Sequence, residues 1–254
     1  SNQYGIYDIS NINNITLLAT IPVVGYAHNA WLNDSSTHLI TTEETGGITV
    51  KIWDITDLDN INLVSEYLGE NTLAHNVHVK DDQLFISHYT TGLKIVDIYN
   101  PEKPVEVAAY DTYTNDDFGG FYGCWGAYPF TQNNYIYASD MQHGLFVLEY
   151  PPIYAGWSSG YIYDEYGQEL VDLELKSIFN GKVFHTNQAG YYDFGFSEGI
   201  HNFEFSINNS LDTLSITFYP HEESEQNIYI NSNDIDFGDV NQDEVINILD
   251  IVSI

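Results

Sequence analysis

The chain has no arginine, six lysines and one cysteine in 254 residues, and each scarcity argues against a class of function. Against 37 aspartates and glutamates, the six lysines leave a formal net charge of −31 at pH 7. A surface of that sign repels phosphates, which argues against nucleic acid and anionic membrane surfaces as partners. The lone Cys124 excludes an intrachain disulfide and any multi-cysteine zinc or iron–sulfur site. No apolar run approaches the ~18 residues of a membrane-spanning helix, so no membrane span is expected. A glycine-rich phosphate loop and H-E-x-x-H are also missing, and the sequence assigns no catalytic residue and no organic cofactor.

What is present is apolar, aromatic and repetitive. Hydrophobic residues make up 43%, which is enough to bury a core, so the acid excess coats folded domains rather than marking a disordered chain. One pattern recurs four times: GIYDI (Gly5 to Ile9), VKIWDI (Val50 to Ile55), GLKIVDI (Gly92 to Ile98) and GLFVLEY (Gly144 to Tyr150). Its acidic residues Asp8, Asp54, Asp97 and Glu149 stand 46, 43 and 52 residues apart. A second landmark keeps the same stride: HNAW at His28, HNVH at His75 and WGAY at Trp125. Strand-only units of about 40 to 50 residues, punctuated by Gly, Asn, Asp and Pro, are the signature of β-propeller blades. The expected fold class is therefore all-β, with about three blades over residues 1–151. The aspartates at 8, 54 and 97 stand at strand ends, where a carboxylate ties its own turn.

GLKIVDI followed by YNPEKPVEVAAYDTY (Tyr99 to Tyr113) resembles the LVIVD repeat of the choice-of-anchor B propeller family. WGAYPF (Trp125 to Phe130) with ASDMQHGLFVLEY (Ala138 to Tyr150) is similar to that family's last blade. The resemblance implies a secreted or cell-surface propeller with variable C-terminal attachments and no catalytic residues. It also implies that further blades and a signal peptide precede this stretch.

Chemistry in this region would come from histidines. His28, His75 and His78 lie on the repeat landmarks, and a propeller converges equivalent strands on a central channel, where neutral imidazoles can share a metal ion. The competing expectation is structural, with each ring bonding backbone carbonyls of a neighbouring blade. FGGFYGCWGAYPF (Phe118 to Phe130) is open in the same way. Its rings either form a stacking surface for sugars or a peptide, or fill the inter-blade core while the glycines allow close backbone approach; the second is preferred.

YPPIYAGWSSG (Tyr150 to Gly160) breaks the pattern and reads as a linker over residues 152–159. Alternating strand-like runs then follow over 160–231, indicating a small antiparallel β-sandwich. GYIYDEYG (Gly160 to Gly167), TNQAGYYDF (Thr186 to Phe194) and EGIH (Glu198 to His201) resemble the carboxypeptidase regulatory-like domain, a prealbumin-type sandwich often classed with carbohydrate-binding-like folds. Residues 232–254 carry D-V-N-Q-D-E-V-I-N-I-L-D, with Asp239, Asn241, Asp243 and Asp250 at positions 1, 3, 5 and 12 and the Val245 carbonyl at position 7. Such a loop can wrap Ca²⁺ in oxygens and lead into a short helix, although Glu244 replaces the usual glycine. It resembles the first calcium repeat of a type I dockerin, truncated here, and that resemblance implies a cohesin-like partner or surface anchor.

Two functions follow as expectations. The first is a secreted or cell-surface binding and display protein with a calcium-dependent docking tail and a glycan or peptide ligand. The second is a component of an extracellular polysaccharide-degrading complex, with metal-assisted hydrolysis in the propeller. Calorimetric titration with Ca²⁺ should reveal a tail site that Asp239→Ala abolishes; a two-repeat version that gives no heat would refute the calcium loop.

Overall fold

The computed structural model describes residues 2–48, 50–67, 73–115, 120–207 and 210–230. None of them is helical, so the described chain is all-β, and no helix is long and apolar enough to cross a membrane. The chain divides into two compact units. One comprises 1–156 with 195–198 and 218–222; the other takes 157–194, 199–217 and the chain from 223 onward. The calcium loop and helix expected at 232–254 lie outside the described residues.

In the first unit, β1 (Gln3–Asp8) pairs antiparallel with β2 (Thr16–Pro22). A four-stranded antiparallel sheet follows in chain order: β3 (Ala27–Leu32), β4 (His38–Glu43), β5 (Val50–Asp54) and β6 (Asn62–Tyr67). A second is built the same way from β7 (Asn76–Lys80), β8 (Gln83–Ser87), β9 (Leu93–Asp97) and β10 (Val105–Tyr110). The third has three strands, β11 (Cys124–Tyr128), β12 (Tyr135–Asp140) and β13 (Gly144–Glu149). The HNAW, HNVH and WGAY landmarks thus open a sheet, while the acidic motif ends the third strand. By the same alignment β1 and β2 are the last two strands of a unit.

Two consecutive side-chain-tied turns explain why the acidic motif recurs. Asp8, Asp54 and Asp97 each accept the backbone N–H two residues on, from Ser10, Thr56 and Tyr99, all at 2.8 Å. Asn11, Asp57 and Asn100 then repeat the bond to Asn13, Asp59 and Glu102. A short acceptor closes the turn that sends the chain back as the fourth strand. These bonds from the Ser10 and Thr56 backbones hold the Asp8 and Asp54 carboxyls below the usual range. Buried Asp97 has a second use, since its other oxygen accepts the Ala155 N–H at 2.9 Å.

The core of this unit is aliphatic: Ile40, Val50, Ile52, Val77, Val79, Leu84, Ile86 and Val96 form one buried cluster spanning the first two sheets. β8 (QLFIS) is buried at every position, as befits a strand with neighbours on both edges and packing on both faces. The second and third sheets are stitched by an antiparallel bridge in which Tyr89 N–H donates to the Cys124 carbonyl at 3.1 Å and Cys124 N–H to the Tyr89 carbonyl at 2.9 Å.

The strands that lie wholly or mostly in the second unit begin with β14 (Ala155–Tyr163), β15 (Glu174–Ser177), β16 (Val183–His185) and β17 (Tyr191–Ser197). β18 (Gly199–Ile207), β19 (Ser210–Phe218), β20 (Glu223–Glu225) and β21 (Ile228–Tyr229) complete the set. They form two sheets, ordered β17-β14-β20 with β21 also on β14, and β16-β15-β18-β19. Phe184 stacks on Phe194 at 4.0 Å, and buried Phe194 meets buried Phe203 edge-on at 5.4 Å.

Two expectations are corrected here. The sandwich is not purely antiparallel, because β20 and β21 both run parallel to β14. Residues 155–159 of the expected linker belong to β14. Their two serines and one glycine look like turn formers, yet Trp157 and Ser158 are buried. The Ser158 hydroxyl meets the Tyr192 phenol at 3.1 Å and the Gln226 amide at 3.0 Å, so its burial leaves nothing unpaired. Gly160, at φ +157, is needed because a Cβ there would lie 2.2 Å from the Gln226 carbonyl oxygen.

Gly123 tests the seam between the second and third sheets. It sits at φ +86, and a Cβ would lie 2.3 Å from the Tyr89 carbonyl oxygen. Gly123→Ala is expected to cost about 2 kcal/mol or more in urea unfolding, through left-handed strain and loss of the Tyr89–Cys124 bridge. A midpoint unchanged from the parent would contradict this.

Candidate functional site

The landmark residues meet because the first strands of the three repeat sheets run side by side, β3 against β7 and β7 against β11. The Asn29 side-chain oxygen accepts the Val77 N–H at 3.0 Å, and the Thr42 hydroxyl donates to the His75 carbonyl at 2.7 Å. Equivalent side chains therefore stack in columns. The first landmark position gives His28, His75 and Trp125, with ring centroids 4.4 and 5.1 Å apart. The fourth gives Trp31 and His78, 4.7 Å apart. Bulges set the aim of the first column. The β3–β4 register steps from Ala27–Glu43 to Asn29–Thr42, leaving His28 unpaired in the ladder. The β11–β12 register leaves out Trp125 in the same way.

Glu44, the residue after β4, completes the cluster. One carboxylate oxygen lies 3.3 Å from His28 Nδ1 and the other 3.7 Å from His75 Nε2. The second oxygen also accepts the Tyr89 hydroxyl, from the turn after β8. The side chains of His75 and Glu44 are only 4% and 15% exposed. His75 Nδ1 makes a short hydrogen bond to the Trp125 carbonyl. A carbonyl only accepts, so the proton is on Nδ1 and the lone pair of Nε2 faces Glu44. The Asn76 amide nitrogen, 2.8 Å from the same Nδ1, is farther away and yields to that assignment. Burial, with His28 adding to it, lowers the pKa of His75, although the Trp125 carbonyl and Glu44 act in the opposite sense. Burial and then Glu44 push the Tyr89 phenol well above its ordinary range, so it stays a donor.

Among the described residues, His28, Glu44 and His75 are the group whose donor atoms stand close enough for one ion, all within 4.8 Å of one another. The expected triple of His28, His75 and His78 is therefore divided. His78 comes three positions after His75 in extended chain and so points to the other face. There it packs edge-on against Trp31 and Phe130, with its Nδ1 buried and lacking a hydrogen-bond partner. Glu44 was not legible from the repeat landmarks; the signal was its place in TEETGG, the turn at the same end of its sheet as the SHYTTG turn that supplies Tyr89.

The aromatic stretch around Trp125 also departs from the preferred expectation. Its small residues Cys124 and Ala127 are buried, while Phe121, Trp125 and Tyr128 are 59%, 52% and 50% exposed. With Phe130 on Tyr128 at 5.4 Å and on Trp31 at 5.6 Å, Tyr128 belongs to an accessible aromatic cluster on the His78 face, while Trp125 lies in the other column, against His75. Cys124 behaves as a buried hydrophobe, since burial pushes its thiol up to about 12. Gly156–Gly160 reads G-W-S-S-G, the spelling of a hydrolase nucleophile turn. Ser158 nevertheless lies inside β14, 1% exposed and bonded to Tyr192 and Gln226, without the exposed strand-to-helix elbow of a nucleophile. A cleft of about 330 Å³ between the second and third sheets is lined mainly by apolar groups such as Leu93, Ile95, Ile136 and Val147, with Glu149 the one carboxylate in its lining.

The LVIVD repeat family matches residues 73–112, the span of the second sheet. Two crystal structures of computationally designed proteins are similar at 11% identity. The Ika4 protein has a TM-score of 0.33 over 51% of this chain and 94% of that one; Ika8 scores 0.38 over 85% and 56%. No curated protein matches.

Beside the site, His88 is 2% exposed and its Nδ1 meets the Thr91 hydroxyl at 2.9 Å. Burial pulls its pKa from 6.5 down to about 4. The folded value lies below the unfolded one, so the unfolded chain binds the extra proton between these limits. Stability is therefore lost as pH falls through that window, by about 3 kcal/mol at its lower end. His88→Asn should shrink the drop in urea midpoint between pH 7 and pH 4; an equal drop in both proteins would contradict the assignment.

Proposed function

We propose that the first unit is part of a β-propeller of LVIVD-type blades. The second unit is a carboxypeptidase regulatory-like sandwich, and the tail is a dockerin-like calcium repeat. The whole is a secreted or cell-surface binding and display protein that makes and breaks no bonds. Its propeller face takes a saccharide, and its tail, loaded with Ca²⁺ on Asp239, Asn241, Asp243, Val245 and Asp250, docks to a cohesin-like partner.

The observation carrying the saccharide reading is the exposed aromatic cluster of Trp31, Tyr128 and Phe130, assembled from the edges of separate repeats. Contiguous exposed rings mark interaction surfaces, and flat rings suit the apolar faces of sugars. The second unit supports it with its own tyrosine strip, Tyr161, Tyr163 and Tyr229, in which Tyr163 stacks on Tyr229 at 5.0 Å. A second reading, metal-assisted hydrolysis within a polysaccharide-degrading complex, is favoured by the His28–Glu44–His75 cluster alone.

A glycan array followed by tryptophan-fluorescence titration tests the binding reading. A saccharide that quenches Trp31 is expected, and Trp31→Ala should weaken it about fivefold or more, in line with ~1 kcal/mol for a lost ring contact. A silent array, together with release of reducing ends from a polysaccharide panel, would replace binding with hydrolysis.

A further inference from the structure

The contact between His75 and Glu44 poses an electrostatic problem. His75 Nδ1 gives its proton to the Trp125 carbonyl, so Nε2 presents a lone pair to a carboxylate oxygen 3.7 Å away. Two lone pairs facing one another inside a shielded pocket repel unless a cation lies between them. His75 is 3% exposed, so solvent screens this contact little. A third donor, His28 Nδ1, points at the same carboxylate from 3.3 Å.

We propose that His28, Glu44 and His75 bind one Zn²⁺ ion through two imidazole nitrogens and a carboxylate oxygen, with a fourth position open to solvent or a ligand. The donor set suits zinc: Ca²⁺ and Mg²⁺ want six or more oxygens, and a thiolate-seeking ion would have only the buried Cys124, outside the group. The spacing suits it as well. Ligand atoms about 2.1 Å from a tetrahedral ion lie about 3.4 Å apart; the imidazole nitrogens stand 3.3 and 3.7 Å from the two oxygens of Glu44, and the donor atoms all lie within 4.8 Å of one another, a spread that a small rotation of the carboxylate closes. The surroundings resemble the support that metal sites need. The Trp125 carbonyl holds the His75 ring in the metal-binding tautomer, and the Tyr89 hydroxyl orients the carboxylate. Three repeat sheets contribute, since His28 and Glu44 belong to the first, His75 and Tyr89 to the second, and the Trp125 carbonyl to the third. The site neither requires nor excludes saccharide binding on the aromatic face.

The test is calorimetric titration of the 254-residue chain with Zn²⁺ in millimolar Ca²⁺, which occupies weak all-oxygen sites on this acidic surface. One saturable Zn²⁺ per chain is expected. Glu44→Gln and His28→Gln should each weaken it about 100-fold or more, and Tyr89→Phe about 10–100-fold. His185→Gln, at an exposed imidazole beside Glu174, should leave it unchanged. A folded parent with no saturable Zn²⁺ site, or the same affinity in folded Glu44→Gln, would overturn the proposal. Should the variants fail to fold, Co²⁺ loading of the parent decides. Intense visible absorption bands of a four-coordinate ion support the site, and a folded protein lacking them refutes it.

Discussion

Three repeat sheets meet along their first strands, and nearly everything else in the first unit follows from that seam. Its polar contacts include Asn29 to Val77, Thr42 to His75, His75 to the Trp125 carbonyl and the Tyr89–Cys124 bridge, and an aliphatic cluster underlies the first two sheets. The cluster supplies the favourable burial, while the polar contacts set the register that brings equivalent positions together. A slip of one residue would turn each landmark side chain to the opposite face and dissolve both columns.

Polar groups near the seam have sharply different fates. Glu43 and Glu44 are neighbours in sequence, yet Glu43 is fully buried. It collects the N–H groups of Val24 and Gly25 and an ion pair from Lys51. Glu44 turns the other way, toward two imidazoles and a phenol. A chain with only six lysines places one of them against Glu43, which keeps that carboxylate from standing uncompensated in the interior. Glu44 has no such partner, and its charge is left for the histidines.

Local rules were the readable part. Aspartate at a strand end closing its own turn needs only a short side chain and the following N–H, so Asp8, Asp54 and Asp97 could be read without neighbours. Strand alternation and the stride of the landmarks also gave the sheets. The linker reading failed because Ser158 looks like a turn residue until Tyr192 and Gln226, far along the chain, satisfy its hydroxyl. The parallel pairing of β20 and β21 with β14 was hidden for the same reason, since direction in a sheet depends on a distant return of the chain.

By itself, the sequence determined an all-β chain of repeated sheets, tied turns and an acidic surface, because those depend on period, composition and contacts two residues long. It also named His28 and His75, which share a landmark. Only the tertiary structure decided that His78 faces away and that Glu44 and Tyr89 join the pair. It alone showed that the rings around Trp125 are exposed while the small residues between them are buried. Those outcomes depend on which strand lies beside which and where a bulge re-aims a side chain, and neither is written in any single stretch of residues.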